Sequence, residues 1–211
     1  MIMRTAPEGR VFIAAAFAIA IGLALASWWI PLLIWLPVTA WVVAFFRDPA
    51  RTGERGNRLI IAPADGKVVS VIETDEPAFF GDRTVRVSIF MNVFDCHVNR
   101  YPADGRVAYR QYNAGKFGHA GTDKASLMNE QSSVGLVTEH GKLLIRQIAG
   151  LVARRIVTDH AVGTDVHQGD RLGMIRFGSR VDVFLPPGTQ IRVKVGDRTR
   201  VAETVIAEWA S

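Results

Sequence analysis

The sequence reads as a mainly β protein, an antiparallel barrel- or sandwich-like domain carried behind an apolar helical segment at its amino terminus. Three observations lead there. No charged residue occurs between Val11 and Phe46. From about Asn57 onward, short period-two runs alternate with turn signals, the pattern of half-buried strands. The chain of 211 residues is 49% hydrophobic and 21% charged, which provides for a sizeable core and excludes a disordered chain. The boundary between the two parts falls near residue 50, giving an anchor over 1–50 and a β-rich domain over 51–211.

A single helix across the apolar stretch would run roughly 54 Å, well past the roughly 30 Å hydrocarbon core of a bilayer. Pro31 and Pro37 interrupt it, so the expectation is a bent hairpin of two short spans, or one span plus an interfacial piece. Trp28, Trp29, Trp35 and Trp41 suit the membrane interface. Arg4 and Arg10 precede the segment, and Arg47, Arg51, Arg55 and Arg58 follow it, which by the positive-inside tendency places the following domain in the cytoplasm. The rival reading is a signal peptide cut after Ala24-Leu25-Ala26, but that cut would leave Ser27 to Phe46 still able to hold the product in a membrane.

Expected strands are Gly66 to Glu73, Thr84 to Met91 with Val85, Val87 and Ile89 on one face, Gly105 to Tyr112, Ser133 to Thr138 and Lys142 to Ile148. His140-Gly141 supplies a tight turn between the last two. Arg171 to Phe177, Arg180 to Leu185, Gln190 to Val195 and Ala202 to Ile206 complete the set, with Pro186-Pro187-Gly188 closing one connection. Leu151 to Val157 fits a short helix or a strand equally.

The net charge of +5 and pI of about 9.8 suit nucleic acid or an anionic bilayer surface. No nucleic-acid module signature accompanies the charge, so a nucleic-acid partner is not expected. The single cysteine, Cys96, excludes an intramolecular disulfide framework and a Cys-based zinc site. Five histidines without ligand spacing make a metal unexpected, and the phosphate-binding glycine motifs are absent.

Three places remain for chemistry. Ala62-Pro63-Ala64-Asp65-Gly66 is a turn entering a strand, or a carboxylate held at a rigid bend. Phe94-Asp95-Cys96-His97-Val98-Asn99-Arg100 is a polar cluster after an apolar strand, and histidine is the side chain best suited to move protons near neutral pH. In Arg176-Phe177-Gly178-Ser179-Arg180-Val181-Asp182, a Gly-Ser pair interrupts an otherwise continuous strand. Glycine there marks a bulge or a close backbone approach.

In order, Arg47-Asp48-Pro49 after the hydrophobic segment, Pro63-Ala64-Asp65-Gly66, His97-Val98-Asn99-Arg100, Lys124-Ala125-Ser126 with Asn129-Glu130, Gln147-Ile148-Ala149-Gly150 and Phe177-Gly178-Ser179-Arg180 span nearly the whole chain. This series resembles the phosphatidylserine decarboxylase family, in its short bacterial and archaeal branch. The resemblance implies a proenzyme that cuts itself between Gly178 and Ser179 into a β chain (1–178) and an α chain (179–211). Ser179 would become a pyruvoyl group, the only cofactor, with neither metal nor pyridoxal phosphate. That group would form a Schiff base with the amine of phosphatidylserine and take up the electrons left by carbon dioxide, giving phosphatidylethanolamine. The implied partners are phosphatidylserine, anionic membrane lipid and the chain's own two fragments as a heterodimer, with higher association left open. The implied location is the cytoplasmic side of the bacterial inner membrane.

Within that resemblance Ser179, His97 and Asp65 are the catalytic set, Asp65 orienting or stabilising an imidazolium. The longer branch carries a second histidine three positions beyond the first. Arg100 stands there in this chain, which leaves the base for self-cleavage open, with His119 in reserve. His140 is read as an exposed turn residue, His160 and His167 as surface or loop positions, and Cys96 as a small core residue. The competing readings are a non-enzymatic, membrane-tethered module like the lipoyl or biotinyl carriers, which would lack its Met-Lys-Met tripeptide, and a serine hydrolase, which would lack its Gly-x-Ser-x-Gly elbow.

Overall fold

The computed structural model describes residues 4–115, 129–150, 155–176 and 178–210. It divides into two compact units, Met1–Ala50 and Arg51–Ser211.

In the first unit a 3-10 turn at Pro7–Gly9 leads into α1 (Arg10–Leu25), and α2 (Trp29–Phe45) returns beside it. The reversal lies at residues 26–28, where Ser27 adopts a left-handed φ of 57°, and not at a proline. Pro31 is the third residue of α2, within the first turn, where a backbone N–H has no helical acceptor to lose. Pro37 is accommodated inside the helix. The two helices are tied midway by Trp35 Nε1 donating to the Ala16 carbonyl (2.9 Å). Their outer ends are tied by Ala6 N–H to Phe46 O and by Asp48 N–H to Arg4 O, both 2.8 Å. A Cβ at Gly9 would stand 2.4 Å from the Phe46 ring, so only glycine lets the chain pass there. Leu25, Ile30, Leu33 and Ile34 point outward, a surface that calls for apolar surroundings. Pro7–Leu25 is long and apolar enough to cross a membrane, while Trp29–Phe45 is shorter.

The second unit is built of β1 (Leu59–Ile61), β2 (Gly66–Glu76), β3 (Asp82–Met91), β4 (Val98–Arg100), β5 (Gly105–Asn113), β6 (Gln131–Thr138), β7 (Gly141–Ala149), β8 (Ile156–Thr158), β9 (Asp165–Val166), β10 (Arg171–Ile175), β11 (Ser179–Leu185), β12 (Gln190–Ile191), β13 (Arg198–Thr199) and β14 (Val205–Glu208). Eight of them form one antiparallel sheet in the order β13-β2-β3-β11-β7-β6-β5-β9, curled into a half-barrel. Two three-stranded sheets, β1-β14-β12 and β4-β10-β8, accompany it.

Period-two alternation sets the core. Val87, Ile89 and Met91 of β3, Val181, Val183 and Leu185 of β11, and Leu143, Ile145 and Ala149 of β7 share one interior with Ile60, Tyr101 and Leu172. Val85, expected on that face, is only half-buried toward the turn end of the β2–β3 hairpin. The opposite face of β11 is also buried but charged. Arg180 and Asp182 are both essentially inaccessible and form an ion pair, Nη2 donating to Oδ2 at 2.9 Å with Nε 2.8 Å from Oδ1. Beside them the Arg146 guanidinium lies over the Phe184 ring and pairs with Glu76 (2.8 Å).

The strands on either side of Gly178 were expected in one sheet, and they are not. β10 is the centre of β4-β10-β8, whereas β11 lies between β3 and β7. The physical reason is local: Gly178 takes φ +53°, so the strand cannot run straight through it. Strand Gln190 to Val195 shortens to β12, and the last two residues of the ambiguous Leu151 to Val157 segment fall in β8, residues 151–154 lying outside the described residues.

Candidate active site

Gly178 and Ser179 sit where the chain changes sheets. Among the described residues, its chain neighbours apart, no atom lies within 4 Å of where a Gly178 Cβ would stand, so what selects glycine there is the left-handed backbone. Ser179 opens β11, opposite Met91 of β3 on one side and Ala149 of β7 on the other. It is completely buried, and among the described residues its Oγ makes no hydrogen bond. A buried hydroxyl without a partner is costly, and such groups recur where a structure keeps a reactive atom ready. The end of β7 beside it is fixed by residues 129 and 130: Asn129 Nδ2 donates to Ala149 O (2.7 Å), and Ala149 N–H donates to Glu130 O (2.9 Å).

His97 is delivered by the tight turn that follows Met91. Asp95 Oδ2 accepts the Asn92 N–H (2.9 Å), and Asp95 Oδ1 pairs with Arg198 (2.6 Å), which pins that turn. The fully buried His97 ring places Nδ1 3.0 Å from the Asp95 carbonyl. A carbonyl can only accept, so Nδ1 carries the proton in this contact and the neutral ring has its lone pair on Nε2, the tautomer of a general base. His97 O in turn accepts the Ile175 N–H at the end of β10 (3.4 Å).

Asp65 occupies the bend before β2. Its Oδ1 accepts the Val201 N–H (2.7 Å), and its Oδ2 pairs with Arg51 (3.0 Å), whose other nitrogen reaches Glu203 at 3.4 Å. The adjacent Gly66 is dictated by close approach, since a Cβ would stand 2.3 Å from the Phe90 carbonyl oxygen. Arg100 N–H donates to Pro63 O (3.0 Å), joining this bend to the His97 segment. Asp65 and Asp95 also line a common cavity of about 430 Å³ with Arg198, Thr199, Arg200 and Thr204.

The fold thus gathers the Ser179, His97 and Asp65 segments through adjoining ladders and turns, but it does not put the Asp65 carboxylate on His97. One contact that orients the imidazole is the Asp95 main-chain carbonyl. Arg100, in the place of a second histidine, turns its guanidinium to Gly169 O (3.0 Å). His119, Lys124, Ser126 and Phe177 lie outside the described residues. His140 and His167 are exposed, Cys96 is buried, and His160 packs its ring against Tyr101. Burial pushes the Tyr101 hydroxyl well above the usual tyrosine range, so it stays protonated. Among the described residues no cluster of three or more His, Cys, Asp or Glu side chains could hold a metal. Of the arginines that follow the apolar segment, Arg51 is engaged by two carboxylates and Arg55 by the Ala202 carbonyl (2.6 Å).

Sequence reasoning missed a buried polar chain beside Ser179. Gln147 Nε2 donates to Asn99 Oδ1 (2.9 Å), Thr158 Oγ1 donates to Gln147 Oε1 (3.0 Å), and Ser132 and Thr158 hydroxyls meet at 2.9 Å. Asn99 and Thr158 flank Gly173 in the β4-β10-β8 sheet. Gln147 therefore bridges the two outer strands across a position that has no side chain. The readable signal was a glutamine at the buried parity of an apolar strand, Leu143, Ile145, Gln147.

A family model described as phosphatidylserine decarboxylase matches residues 38–207. The phosphatidylserine decarboxylase proenzyme of Symbiobacterium thermophilum is 46% identical over 202 residues, covering 95% of this chain and 94% of that protein. That of Aromatoleum aromaticum is 44% identical over 207 residues (96% and 94%), and that of Syntrophotalea carbinolica 46% over 202 (94% of each). With its β-rich fold and the Gly-Ser junction between two sheets, this chain belongs to the phosphatidylserine decarboxylase family of enzymes.

Proposed function

We propose that the chain is a self-processing proenzyme that converts phosphatidylserine to phosphatidylethanolamine and carbon dioxide. Residues 1–50 serve as its anchor in the bacterial inner membrane, and residues 51–211 as a catalytic domain on the cytoplasmic side. The observation that carries this reading is the Ser179 hydroxyl, buried and without a hydrogen bond among the described residues, directly after a left-handed glycine.

Ser179 Oγ attacks the Gly178 carbonyl carbon as its proton passes to a base, for which His97 Nε2 is the choice. The C–N bond breaks, the amine takes a proton, and an ester joins Gly178 to the Ser179 side chain. Loss of the Ser179 α-proton expels Gly178 as a carboxylate and leaves dehydroalanine, which gains water and loses ammonia to become pyruvoyl. The buried hydroxyl and the adjacent glycine fit that group. It supplies a carbonyl that takes the lipid amine and accepts the electron pair left by carbon dioxide.

The fragments 1–178 and 179–211 would form the heterodimer. Asp65, salt-bridged to Arg51, would hold the Pro63–Gly66 bend and add negative potential near His97 without touching it. The exposed Arg198 and Arg200 at the Asp65 cavity suit an anionic headgroup.

Intact mass of the denatured protein tests the reading. Two chains are expected, the smaller lacking a free amino group and lighter by ammonia than a serine-initiated fragment. Ser179→Ala should remain whole and release no carbon dioxide from phosphatidylserine. A full-length chain that still decarboxylates the lipid would refute the proposal.

A further inference from the structure

Asn99 is completely buried. Its carbonyl oxygen has a clear structural use, accepting the Gln147 amide at 2.9 Å. Its NH2 half does not. The acceptor that Nδ2 finds is the Met91 thioether sulfur at 3.5 Å, a weak acceptor that cannot satisfy two amide hydrogens. Any small acceptor, a serine or threonine hydroxyl among them, would hold Gln147 as well. The buried amide donor is what packing leaves unexplained.

Its position supplies the explanation. Met91 stands directly opposite Ser179 in the β3–β11 ladder, so the two side chains emerge side by side on the same face, their Cβ atoms about 5 Å apart. Asn99 Nδ2 reaches the Met91 sulfur, so one side chain links the amide to the position paired with Ser179. Gln147 approaches the same interior from β7, two residues before Ala149, the other partner of Ser179. Thr158 and Ser132 fix the Gln147 amide, Gln147 fixes Asn99 Oδ1, and Asn99 Nδ2 is held against Met91, the residue paired with Ser179.

We propose that Asn99 is a catalytic hydrogen-bond donor in self-cleavage, stabilising the oxyanion that forms on the Gly178 carbonyl when Ser179 Oγ attacks, and that Gln147 is the positioning residue that aims it. This rests on the self-processing reading above. In the step, the Gly178 carbonyl π-pair moves onto oxygen as the Oγ–C bond forms, and it returns as the C–N bond breaks. Asn99 gives and takes no proton and needs no co-reactant. A neutral donor in a water-free interior suits a charge that exists only in passing. Gly173 is part of the arrangement. A Cβ there would lie 1.9 Å from the Val157 carbonyl oxygen, and it would also stand in the row that the Gln147 amide crosses.

The test follows splitting of the full-length chain in detergent by intact mass, over time and across pH, with thermal unfolding as a control on folding. Asn99→Ala should split about 10²- to 10³-fold more slowly than the parent at every pH. The plateau of the pH–rate profile falls while its midpoint stays in place, because the base is untouched. Gln147→Leu should slow splitting by a smaller factor with the same unmoved midpoint, and Met91→Leu should split within threefold of the parent. Asn99→Ala splitting within threefold of the parent, or a midpoint that moves while the plateau stays, overturns the assignment. Met91→Leu as slow as Asn99→Ala also overturns it, since packing alone would then explain the loss. If Asn99→Ala does not fold, the isosteric Asn99→Asp, which keeps an oxygen for Gln147 and removes the NH2, decides the question: slow splitting at neutral pH supports the role and parental splitting overturns it. A parent chain that never splits between Gly178 and Ser179 refutes the self-processing reading itself, whereas a parent that splits alongside an equally fast Asn99→Ala refutes only the role of Asn99.

Discussion

β10 and β11 follow one another with three residues between them, and both are largely buried, yet they share no ladder. β11 runs in unbroken register, seven pairs with β3 and six with β7. β10 is shorter, slips register against β4 between Arg171 and Gly173, and makes three pairs with β8. One strand is held mainly by continuous main-chain pairing. The other depends on a side-chain bridge thrown across its glycine by Gln147. The junction between them is a place where the main chain is already turned out of line, so a break there costs neither sheet a hydrogen-bonded ladder.

The largest stability effect should come from the long ladder's buried charge. Asp182→Ala would remove the carboxylate paired with Arg180 in a fully buried site and should destabilise the chain by about 3–5 kcal/mol in chemical denaturation. Gly173→Ala comes next, at roughly 1–3 kcal/mol from overpacking against Val157. Its damage should concentrate in β4, β8 and β10, seen as faster amide exchange there than in β11. Gly178→Ala meets nothing within 4 Å among the described residues beyond its chain neighbours, and its left-handed backbone should cost about 1–2 kcal/mol. If Gly178→Ala proves costlier than Gly173→Ala, the contrast drawn between the two strands is wrong. The smallest effect belongs to the exposed Arg83–Glu73 pair at the β2–β3 hairpin (2.9 Å), where Arg83→Ala should change stability by no more than about 0.5 kcal/mol.

Much of this arrangement was legible beforehand because long strands announce themselves. Residues 66–76, 82–91, 105–113, 131–138 and 141–149 alternate over enough positions to reveal a face. The short pieces, Leu59–Ile61 and Val98–Arg100 in the smaller sheets and Asp165–Val166 and Arg198–Thr199 at the edges of the large one, are two or three residues long and carry no period, so nothing local marks them. Proline misled in the first unit, because its cost depends on whether its missing N–H had an acceptor, and at Pro31 it had none. Among the site residues, Gly178-Ser179 stood out as a broken strand and His97 as a polar residue after an apolar run. Asp65 was also visible, but its partner Arg51 is separated from it by an irregular stretch. The Asp95 carbonyl that faces His97 is backbone, which any residue could supply. Asn99 escaped because its significance lies in what its nitrogen fails to find, and that requires knowing its neighbours.

Residues 179–211 furnish β11, β13 and β14, which pair with β1, β2, β3 and β7 from the remainder of the chain, and β12, which pairs with β14. On the proposed chemistry the smaller product is therefore woven through two sheets from the moment it is born. A molecule whose prosthetic group is spoiled has no way to trade that piece for a fresh one without coming apart. Each copy would receive its reactive carbonyl a single time, and a cell would restore lost capacity only by making new protein.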